Sequence, residues 1–201
     1  IIAPTQGGAT LYDNVGSLTN KGFEIVLQGS PVQAKNFNWN VTAIFNRNRN
    51  KVSIPVDLIR FSADPNRMSS AINGQPLGVF YGTVYLRDAN GNIVLSTQPR
   101  NLPGGVTIGT GVPYVDRVTK DASGIPVAGS PLVQRIVGDP NPDWTGSLLN
   151  EFTYRNLSFK FLFEAVQGFD VVNLNRTTFN NVGAGKLAEK EIKGELPRGY
   201  V

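Results

Sequence analysis

Oxygen-bearing side chains alternate with prolines in one short stretch of the chain, at Asp139, Asn141 and Asp143. Ligands at the first, third and fifth positions begin a calcium-binding loop of the EF-hand type. Such a loop also needs Gly at its sixth position and Glu at its twelfth, where this chain has Trp144 and Asn150. The prolines favour an extended backbone, so the same residues also suit a structural corner closed by Asx hydrogen bonds. The sequence favours the corner and leaves calcium binding as the alternative.

Two glutamates, Glu151 and Glu164, offer the paired carboxylates that a glycosidase uses. Nothing in their spacing is diagnostic, and charges that face water from a polar strand face are the favoured interpretation. The chain has no His and no Cys, which removes the commonest general base, thiolate metal sites and disulfide bonds. We therefore expect no enzymatic activity, no catalytic residue and no cofactor.

Aromatic side chains suited to stacking on sugar rings occur in the middle of the chain, at Tyr81, Tyr85 and Tyr114, with Phe80 beside them. Rings of this kind combine a broad apolar surface with a polar tip. The same residues also suit a small core that would hold a long loop together. The sequence favours packing and leaves substrate binding by the three tyrosines as the alternative.

The elements that would position these groups are β-strands, because apolar and polar residues alternate over long stretches. Residues 20–51 predict an antiparallel hairpin with a polar connection at 30–36. Aligning its apolar faces pairs Leu27 with Trp39, and a one-residue slip would turn every apolar group over. The predicted apolar, lipid-facing set is Phe23, Ile25, Leu27, Phe37, Trp39, Val41 and Phe45.

Residues 144–165 predict a second hairpin, with a tight turn at Arg155-Asn156 in which Asn tolerates the left-handed conformation. Pairing Tyr154 with Leu157 aligns the apolar faces of its strands. Aromatic residues then lie at both ends of the first strand, as in the interfacial girdles of outer-membrane barrels. A soluble sandwich strand would alternate in the same way. The apolar set of this hairpin is Trp144, Leu148, Phe152, Tyr154, Leu157, Phe159, Phe161 and Phe163. Of these, the residues predicted to face lipid are Leu148, Phe152, Phe159, Phe161 and Phe163.

The connections between the predicted strands are sorted by length. Those at one end of the hairpins are short, whereas residues 52–143 and 166–201 form long connections. Outer-membrane barrels have short periplasmic turns and long extracellular loops, and a sandwich has no reason to sort its loops in this way. Inside the first long connection, residues 79–86 and 92–96 predict strands around a type I′ turn at Asn90-Gly91.

Helical signals are weak throughout the chain, and the best candidate is the short polar segment 184–193. There is no run of 18 apolar residues, which excludes a transmembrane helix but not a barrel, whose strands carry only alternate apolar residues. The sequence therefore predicts an all-β fold, made of antiparallel hairpins from part of a large transmembrane β-barrel with long extracellular loops.

The formal net charge of the chain is +4, and its cations are dispersed except at Arg47, Arg49 and Lys51. A nucleic-acid-binding protein would gather its basic residues into one patch interleaved with aromatic residues, so we expect no nucleic-acid partner. The three cations share a strand face with Phe45. One hypothesis is that they meet phosphates of the outer-leaflet lipopolysaccharide, and a solvated strand end is the alternative.

Four sequence blocks occur in order along the chain: NKGFE at 20–24, GQPLGVFYG at 74–82, GDPNPDWTG at 138–146, and FLF at 161–163 followed by Gly168. In order and spacing they resemble the late barrel region of the SusC/RagA family of TonB-dependent transporters. The resemblance extends over most of residues 14–182 and is specific, because four separate blocks agree.

The resemblance implies part of a barrel of roughly 22 strands in the outer membrane, whose lumen is plugged by an N-terminal domain. It also implies import of glycans or peptides in Bacteroidota-type bacteria, a SusD-like surface lipoprotein as a hinged lid, and energy from the TonB complex through the plug. Because the chain contains no plug, TonB box or final strand of the family, we expect a piece that does not transport alone. The competing hypothesis is a soluble β-sandwich that acts as a carbohydrate-binding or adhesin module.

Overall fold

A computed structural model describes residues 16–64, 68–101 and 107–197 of the chain. Antiparallel strands dominate it, and two short helices, α1 (Leu174–Asn181) and α2 (Lys186–Ile192), follow the last strand. The strands are β1 (Ser17–Ala34), β2 (Phe37–Ser53), β3 (Leu58–Arg60), β4 (Ser69–Ile72), β5 (Val79–Thr83), β6 (Arg100–Asn101), β7 (Thr107–Ile108), β8 (Gln134–Gly138), β9 (Trp144–Tyr154) and β10 (Leu157–Gln167).

Four long strands form the main sheet, in the order β1-β2-β9-β10, and each neighbouring pair is antiparallel. A second sheet has the order β3-β4-β5-β8, and β6 pairs with β7. The main sheet combines the two predicted hairpins side by side, because β2 pairs with β9. The predicted class, an antiparallel β fold of the kind found in a partial barrel, is confirmed.

The first hairpin is closed by a tight turn rather than by the predicted polar connection at 30–36. Lys35 and Asn36 form this turn, so β1 continues through Pro31 to Ala34. Proline has no backbone N–H to donate, and Pro31 is compatible with β1 because it lies in a bulge between Gly29 and Val32, where the pairing with β2 is interrupted. The prediction was wrong here because Ser and Pro are common turn residues.

The predicted register of the first hairpin is also wrong. Leu27 pairs with Ala43 rather than with Trp39, a shift of four positions along β2. The apolar faces of both strands still coincide, because an even shift preserves a period of two. Beyond a bulge between Gly29 and Val32, Val32 lies opposite Trp39.

The second hairpin has the predicted register, with Tyr154 opposite Leu157 and the same offset along the whole of β9 and β10. The left-handed residue of its turn differs from the expectation. Arg155 has a φ of +52°, and Asn156 does not have a positive φ. The Arg155 guanidinium lies 5.4 Å from the centroid of the Tyr154 ring, a cation–π contact that stabilises the turn.

The predicted type I′ turn at Asn90-Gly91 is instead a capped turn that begins at Asp88. Gly91 has a φ of +85°, and its amide donates to the Asp88 carbonyl at 3.0 Å. The Asp88 carboxylate accepts from the amides of Asn90 at 2.9 Å and Asn92 at 2.8 Å. Hydrogen bonds from the side chain and backbone of Asn92 lower the pKa of Asp88. A type I′ turn needs positive φ at both central residues. Here the Asx hydrogen bonds of Asp88 close the turn although Asn90 does not have a positive φ.

The long region between the hairpins has structure of its own. β5 covers the first part of the strand predicted at 79–86, and the residues predicted as a strand at 92–96 form isolated bridges. Leu86, Val112 and Tyr114 are buried in this region. Their burial gives the region a small apolar core.

The chain divides into two compact units. The first unit contains the main sheet, and the second contains both helices and the core around Tyr114. Within the described residues, the first unit comprises 16–63, 68–80 and 138–170, and the second comprises 64, 81–101, 107–137 and 171–197.

The helices lie near the end of the described chain. α2 falls inside the helix predicted at 184–193. α1 was not predicted, because its Asn- and Thr-rich sequence has a low helix propensity, and it is capped by Asn173, whose side chain accepts from the Arg176 amide at 3.0 Å. Neither of them, nor any other helix in the described residues, combines the length and apolar content needed to cross a membrane.

Candidate functional site

One face of the main sheet is apolar and is termed the aromatic face. Stacked rings join all four strands, with centroid distances of 5.9 Å for Phe23–Phe45, 5.7 Å for Phe45–Trp144 and 5.9 Å for Phe152–Phe161. Such pairs contribute about 1 kcal/mol each beyond the burial of area. The strand registers place the whole predicted lipid-facing set on this face: Phe23, Ile25, Leu27, Phe37, Trp39, Val41, Phe45, Leu148, Phe152, Phe159, Phe161 and Phe163.

Much of the aromatic face is exposed. Leu27, Phe159 and Phe163 are 65%, 64% and 63% exposed. Contiguous exposed apolar surface on a folded protein marks a site that contacts lipid or another protein. The aromatic face is therefore the part of the main sheet that requires a covering medium or partner.

A polar side chain, Asn150, interrupts the aromatic face. It is 5% exposed and lies between Val41 of β2 and Phe161 of β10. Its Oδ1 accepts a hydrogen bond of 3.2 Å from the indole N–H of Trp39. The two polar groups thus satisfy each other among apolar neighbours, where an unpaired amide would be costly. The sequence prediction left Asn150 out of this face because an amide breaks the apolar pattern.

A double-mutant cycle of Asn150→Leu and Trp39→Phe is expected to give a coupling energy of about 0.5–1.5 kcal/mol. Each single change removes one partner of the hydrogen bond, whereas the double change removes both. The measurement is the free energy of unfolding in urea of the full-length protein in lipid. Additive effects of the two changes would contradict the hydrogen bond as a stabilising contact.

The opposite face of the main sheet carries amides, hydroxyls and charges and is termed the polar face. The Nζ of Lys160 lies 2.6 Å from Oε1 of Glu151, directly across β9 and β10. Some apolar residues also lie on this face, and two of them, Leu149 and Leu162, pair with each other across the same strands. The sheet is therefore amphipathic across its thickness, with the charged ion pair on one side and the rings on the other.

Glu151 and Glu164 both lie on the polar face but are not neighbours. Glu164 pairs with Ser147, four positions from Glu151 along β9, which separates the two backbone positions by about 13 Å. The carboxyl groups of a glycosidase are about 5–9.5 Å apart. Because Glu151 is also paired with Lys160, these residues do not have the arrangement that glycoside hydrolysis uses.

Residues 138–143 form a turn between β8 and β9 that is termed the acidic corner. Oδ1 of Asp139 accepts from the Asn141 amide at 2.9 Å and from the Asn141 side chain at 2.6 Å. Oδ1 of Asn141 accepts from the Asn50 side chain at 2.8 Å, and its Nδ2 also donates to the Leu77 carbonyl at 3.0 Å. The two bonds to Asp139 are the Asx hydrogen bonds expected of a structural corner, whereas those with Asn50 and Leu77 join distant segments.

The hydrogen bonds of the acidic corner engage oxygens that calcium would need. Asp139 and Asn141 each use Oδ1 in this way, and Asp143 forms an ion pair. Within the described ranges, no group of three or more His, Cys, Asp or Glu side chains is arranged to hold a metal ion. Calcium binding by the three predicted residues stays a prediction.

Asp143 ties the acidic corner to two strands of the main sheet. Arg49 of β2 forms an ion pair with the Asp143 carboxylate, and its Nη1 donates to the Pro142 carbonyl at 3.4 Å. The Asp143 amide donates to the carbonyl of Gln167 of β10 at 2.7 Å. The carboxylate occupies the space where a Cβ on Gly168 would lie, and Gly168 has a φ of +73°. Glycine is therefore required at position 168 for two reasons: it adopts the positive φ, and its missing side chain leaves space for the Asp143 carboxylate.

A second glycine fixes the other end of the acidic corner. A Cβ on Gly138 would lie 2.9 Å from the Asp170 Cβ and 3.0 Å from Cδ2 of Phe80. The Asp139 amide donates to Oδ2 of Asp170 at 2.9 Å, and the Asp170 amide donates to the Asp139 carbonyl at 2.7 Å. Sequence reasoning missed Asp170, Arg49 and Asn50 as partners, because nothing local in the sequence connects segments so far apart.

The three candidate tyrosines differ in exposure. Tyr114 is 9% exposed and belongs to the small apolar core, whereas Tyr85 is 51% exposed and Tyr81 is half-buried. Burial of Tyr114 agrees with the packing interpretation for that residue. Substrate binding by the tyrosines stays a prediction, and Tyr85 has the most accessible of the three rings.

Comparison with known proteins finds curated relatives over most of the chain. It is 32% identical over 197 residues to "TonB-dependent receptor P26" of Formosa agariphila, covering 94% of this chain and 19% of the relative. It is 27% identical over 192 residues to "TonB-dependent receptor P3" of the same organism, covering 92% of this chain and 18% of the relative. The chain thus spans about a fifth of the length of these relatives. No protein-family model matches it.

Solved structures show the same similarity. The chain aligns with a structure of the RagAB peptide transporter with a TM-score of 0.58 and 25% identity, covering 93% of this chain and 19% of that one. It aligns with the RagAB peptide importer in the closed-closed state with a TM-score of 0.53 and 24% identity, covering 87% of this chain and 18% of that one. Because its identity is only 24%, the second match is evidence for the fold alone. The similarity is therefore not confined to the four sequence blocks but extends over nearly the whole chain.

Proposed function

Because this chain is a segment of the SusC/RagA-like TonB-dependent transporters, which lie in the outer membrane, we propose that it forms barrel wall and extracellular loops of a nutrient importer. The main sheet is the wall, and the described residues 54–64, 68–101, 107–137 and 168–197 belong to the extracellular side. The role of the segment is passive and non-enzymatic: it separates lipid from a wet lumen and presents loops to substrate. The relatives are named as receptors and transporters, which agrees with this role.

The observation that carries the proposal is the division of the main sheet into an aromatic face and a polar face. A barrel wall needs rings and aliphatic groups toward lipid and amides, hydroxyls and charges toward the lumen. Trp144 and Tyr154 lie at the two ends of β9 on the aromatic face. They are about 33 Å apart along the strand, or about 25 Å along the membrane normal for a strand tilted by about 40°, which matches the apolar band of such barrels.

The soluble β-sandwich is the competing function, and the exposure of the aromatic face opposes it. A sandwich buries its apolar face against a second sheet about 10 Å away. Leu157 and Phe159, however, are 74% and 64% exposed. Each buried side chain of this size contributes about 1.5–3 kcal/mol, so a soluble module would lose much of its stability by leaving them uncovered.

Partners and substrate follow from the family. We infer that a SusD-like surface lipoprotein covers the extracellular loops, and that the TonB complex acts through a plug domain elsewhere in the transporter. The substrate is an oligosaccharide or a peptide. The RagAB structure is named a peptide transporter, which supports the peptide, and the exposed ring of Tyr85 supports stacking on a sugar.

Cysteine labelling in the full-length protein in lipid tests the wall. This chain has no Cys, so each introduced thiol is unique within the segment. Labels at Val41, Phe159 and Phe161 are expected to be quenched by lipid-soluble agents, because these positions lie on the aromatic face. Labels at Asn40 and Ser158, one position away on the polar face, are the matched controls and are expected to respond to water-soluble quenchers.

The opposite labelling pattern has a clear meaning. Protection of Val41, Phe159 and Phe161 from both kinds of quencher would place them in a closed protein core. That result would reject the membrane wall and favour the soluble sandwich.

A further inference from the structure

The aromatic face ends in a group of cations at the side of the long connections. β1 and β2 are paired without a bulge in this part, with Lys21 opposite Arg49 and Phe23 opposite Arg47. Alternation along each strand places Lys51 on the same face. The cation group is therefore Lys21, Arg47, Arg49 and Lys51, and Lys21 was not singled out from the sequence because it belongs to the other strand.

The cation group is only partly neutralised. Arg49 is half-buried and forms an ion pair with Asp143. Lys21, Arg47 and Lys51 are exposed. Within the part of the chain that the structure describes, Asp143 is the one carboxylate that forms an ion pair with this group. An excess of positive charge thus remains on three accessible side chains.

The cation group lies next to the aromatic rings, at one end of the aromatic face. Phe45 lies two residues before Arg47 on β2, and its ring stacks on Phe23 and Trp144. In a barrel, a ring belt of this kind lies at the level of the lipid headgroups. The cations follow directly beyond it, at the end from which the long connections leave, which is the extracellular end of an outer-membrane barrel.

We propose that Lys21, Arg47 and Lys51 bind the phosphate groups of lipid in the outer leaflet, with Arg49 held in place by Asp143 at their centre. This inference rests on the proposed function, since it needs the aromatic face to lie in lipid. Guanidinium and ammonium groups form strong charge-assisted hydrogen bonds to phosphate, and arginine can do so with two parallel bonds. Anionic lipid A, whose phosphates lie at headgroup level, fits this arrangement of charges and rings.

The test uses the full-length transporter in phosphatidylcholine nanodiscs that contain bisphosphorylated lipid A, with bound lipid A counted by native mass spectrometry. The triple variant Lys21→Gln, Arg47→Gln, Lys51→Gln is expected to bind lipid A on the order of 100-fold more weakly, because each basic residue near an anionic surface contributes roughly a factor of five. The variant Lys21→Arg, Arg47→Lys, Lys51→Arg, which keeps every charge, is expected to retain binding and shows that the site tolerates substitution.

A charge-matched control separates local binding from net charge. Lys35, Lys186 and Lys190 are exposed and lie outside the cation group, so changing all three to Gln is expected to leave lipid A binding unchanged. An equal loss in this control would overturn the proposal, as would unchanged binding in the first triple variant. Equal binding of lipid A without phosphates would also overturn it, and so would tight binding of inorganic phosphate alone in the absence of lipid A.

Failure of this inference can be told apart from failure of the membrane wall. A label at Phe159 is read in the same nanodiscs. Lipid quenching at Phe159 together with unchanged lipid A binding would reject only the phosphate site. Protection of Phe159 from lipid quenchers would reject the wall itself and the phosphate site with it.

Discussion

Replacing Gly168 with alanine is expected to lower the free energy of unfolding by about 3 kcal/mol. Two effects contribute: the left-handed backbone strain of alanine, about 1–2 kcal/mol, and the loss of the hydrogen bonds and ion pair of Asp143. Gly168 has a φ of +73°, and an added Cβ would lie on the Asp143 carboxylate. Asp143 would have to leave its place and release Arg49. The measurement is urea unfolding of the full-length protein in lipid.

A matched glycine isolates the steric part of this effect. Gly91 has a φ of +85° and nothing within 4 Å of an added Cβ. Gly91→Ala therefore carries the backbone strain alone, about 1–2 kcal/mol. Adding Asp143→Ala to Gly168→Ala is expected to cost less than the sum of the two single changes, because the clash is then absent. Equal effects of Gly168→Ala and Gly91→Ala would show that the acidic corner does not depend on this contact.

Arginine substitutions at Leu148 and Leu149 are expected to differ strongly in cost, although the two leucines are neighbours in β9. Leu148 lies on the aromatic face and Leu149 on the polar face. Arginine near the bilayer midplane costs about 2–4 kcal/mol when it faces lipid. At Leu149 the guanidinium reaches the wet lumen, so that the main loss is the apolar contact with Leu162, about 1 kcal/mol.

The two arginine variants share the same original residue, the same new residue and the same strand. The difference between their free energies of unfolding in lipid therefore reports the medium on each side of the sheet. A similar cost at both positions, or a larger cost at Leu149, would contradict lipid on the aromatic face.

The register of each hairpin shows what local sequence can and cannot determine. The pairing of Tyr154 with Leu157 was predicted correctly, because a tight turn at Arg155 leaves one way to align the apolar faces. The first hairpin was misaligned by four positions, since Ser30 and Pro31 resemble a turn but lie inside β1. The membership of each face survived this error, because a period of two is unchanged by an even shift.

The acidic corner shows the other limit. Its hydrogen bonds within residues 139–143 follow from Asx chemistry and were expected. Its partners come from distant segments: Arg49 is 94 residues from Asp143, and Asn50 is 91 residues from Asn141. Long-range contacts of this kind leave no local periodicity or turn signal, so the sequence could not identify them.

By itself, the sequence determined the class of the fold, the two faces of the main sheet and the family resemblance, because these depend on residue type at fixed spacing along one chain segment. The tertiary structure alone decided that β2 pairs with β9, that Lys21 joins Arg47 and Lys51 on one face, and that Gly168 makes room for Asp143. The reason is physical: side-chain alternation is a local property of a strand, whereas the partners of a strand are chosen by the burial, hydrogen bonding and steric fit of segments that meet only in the folded chain.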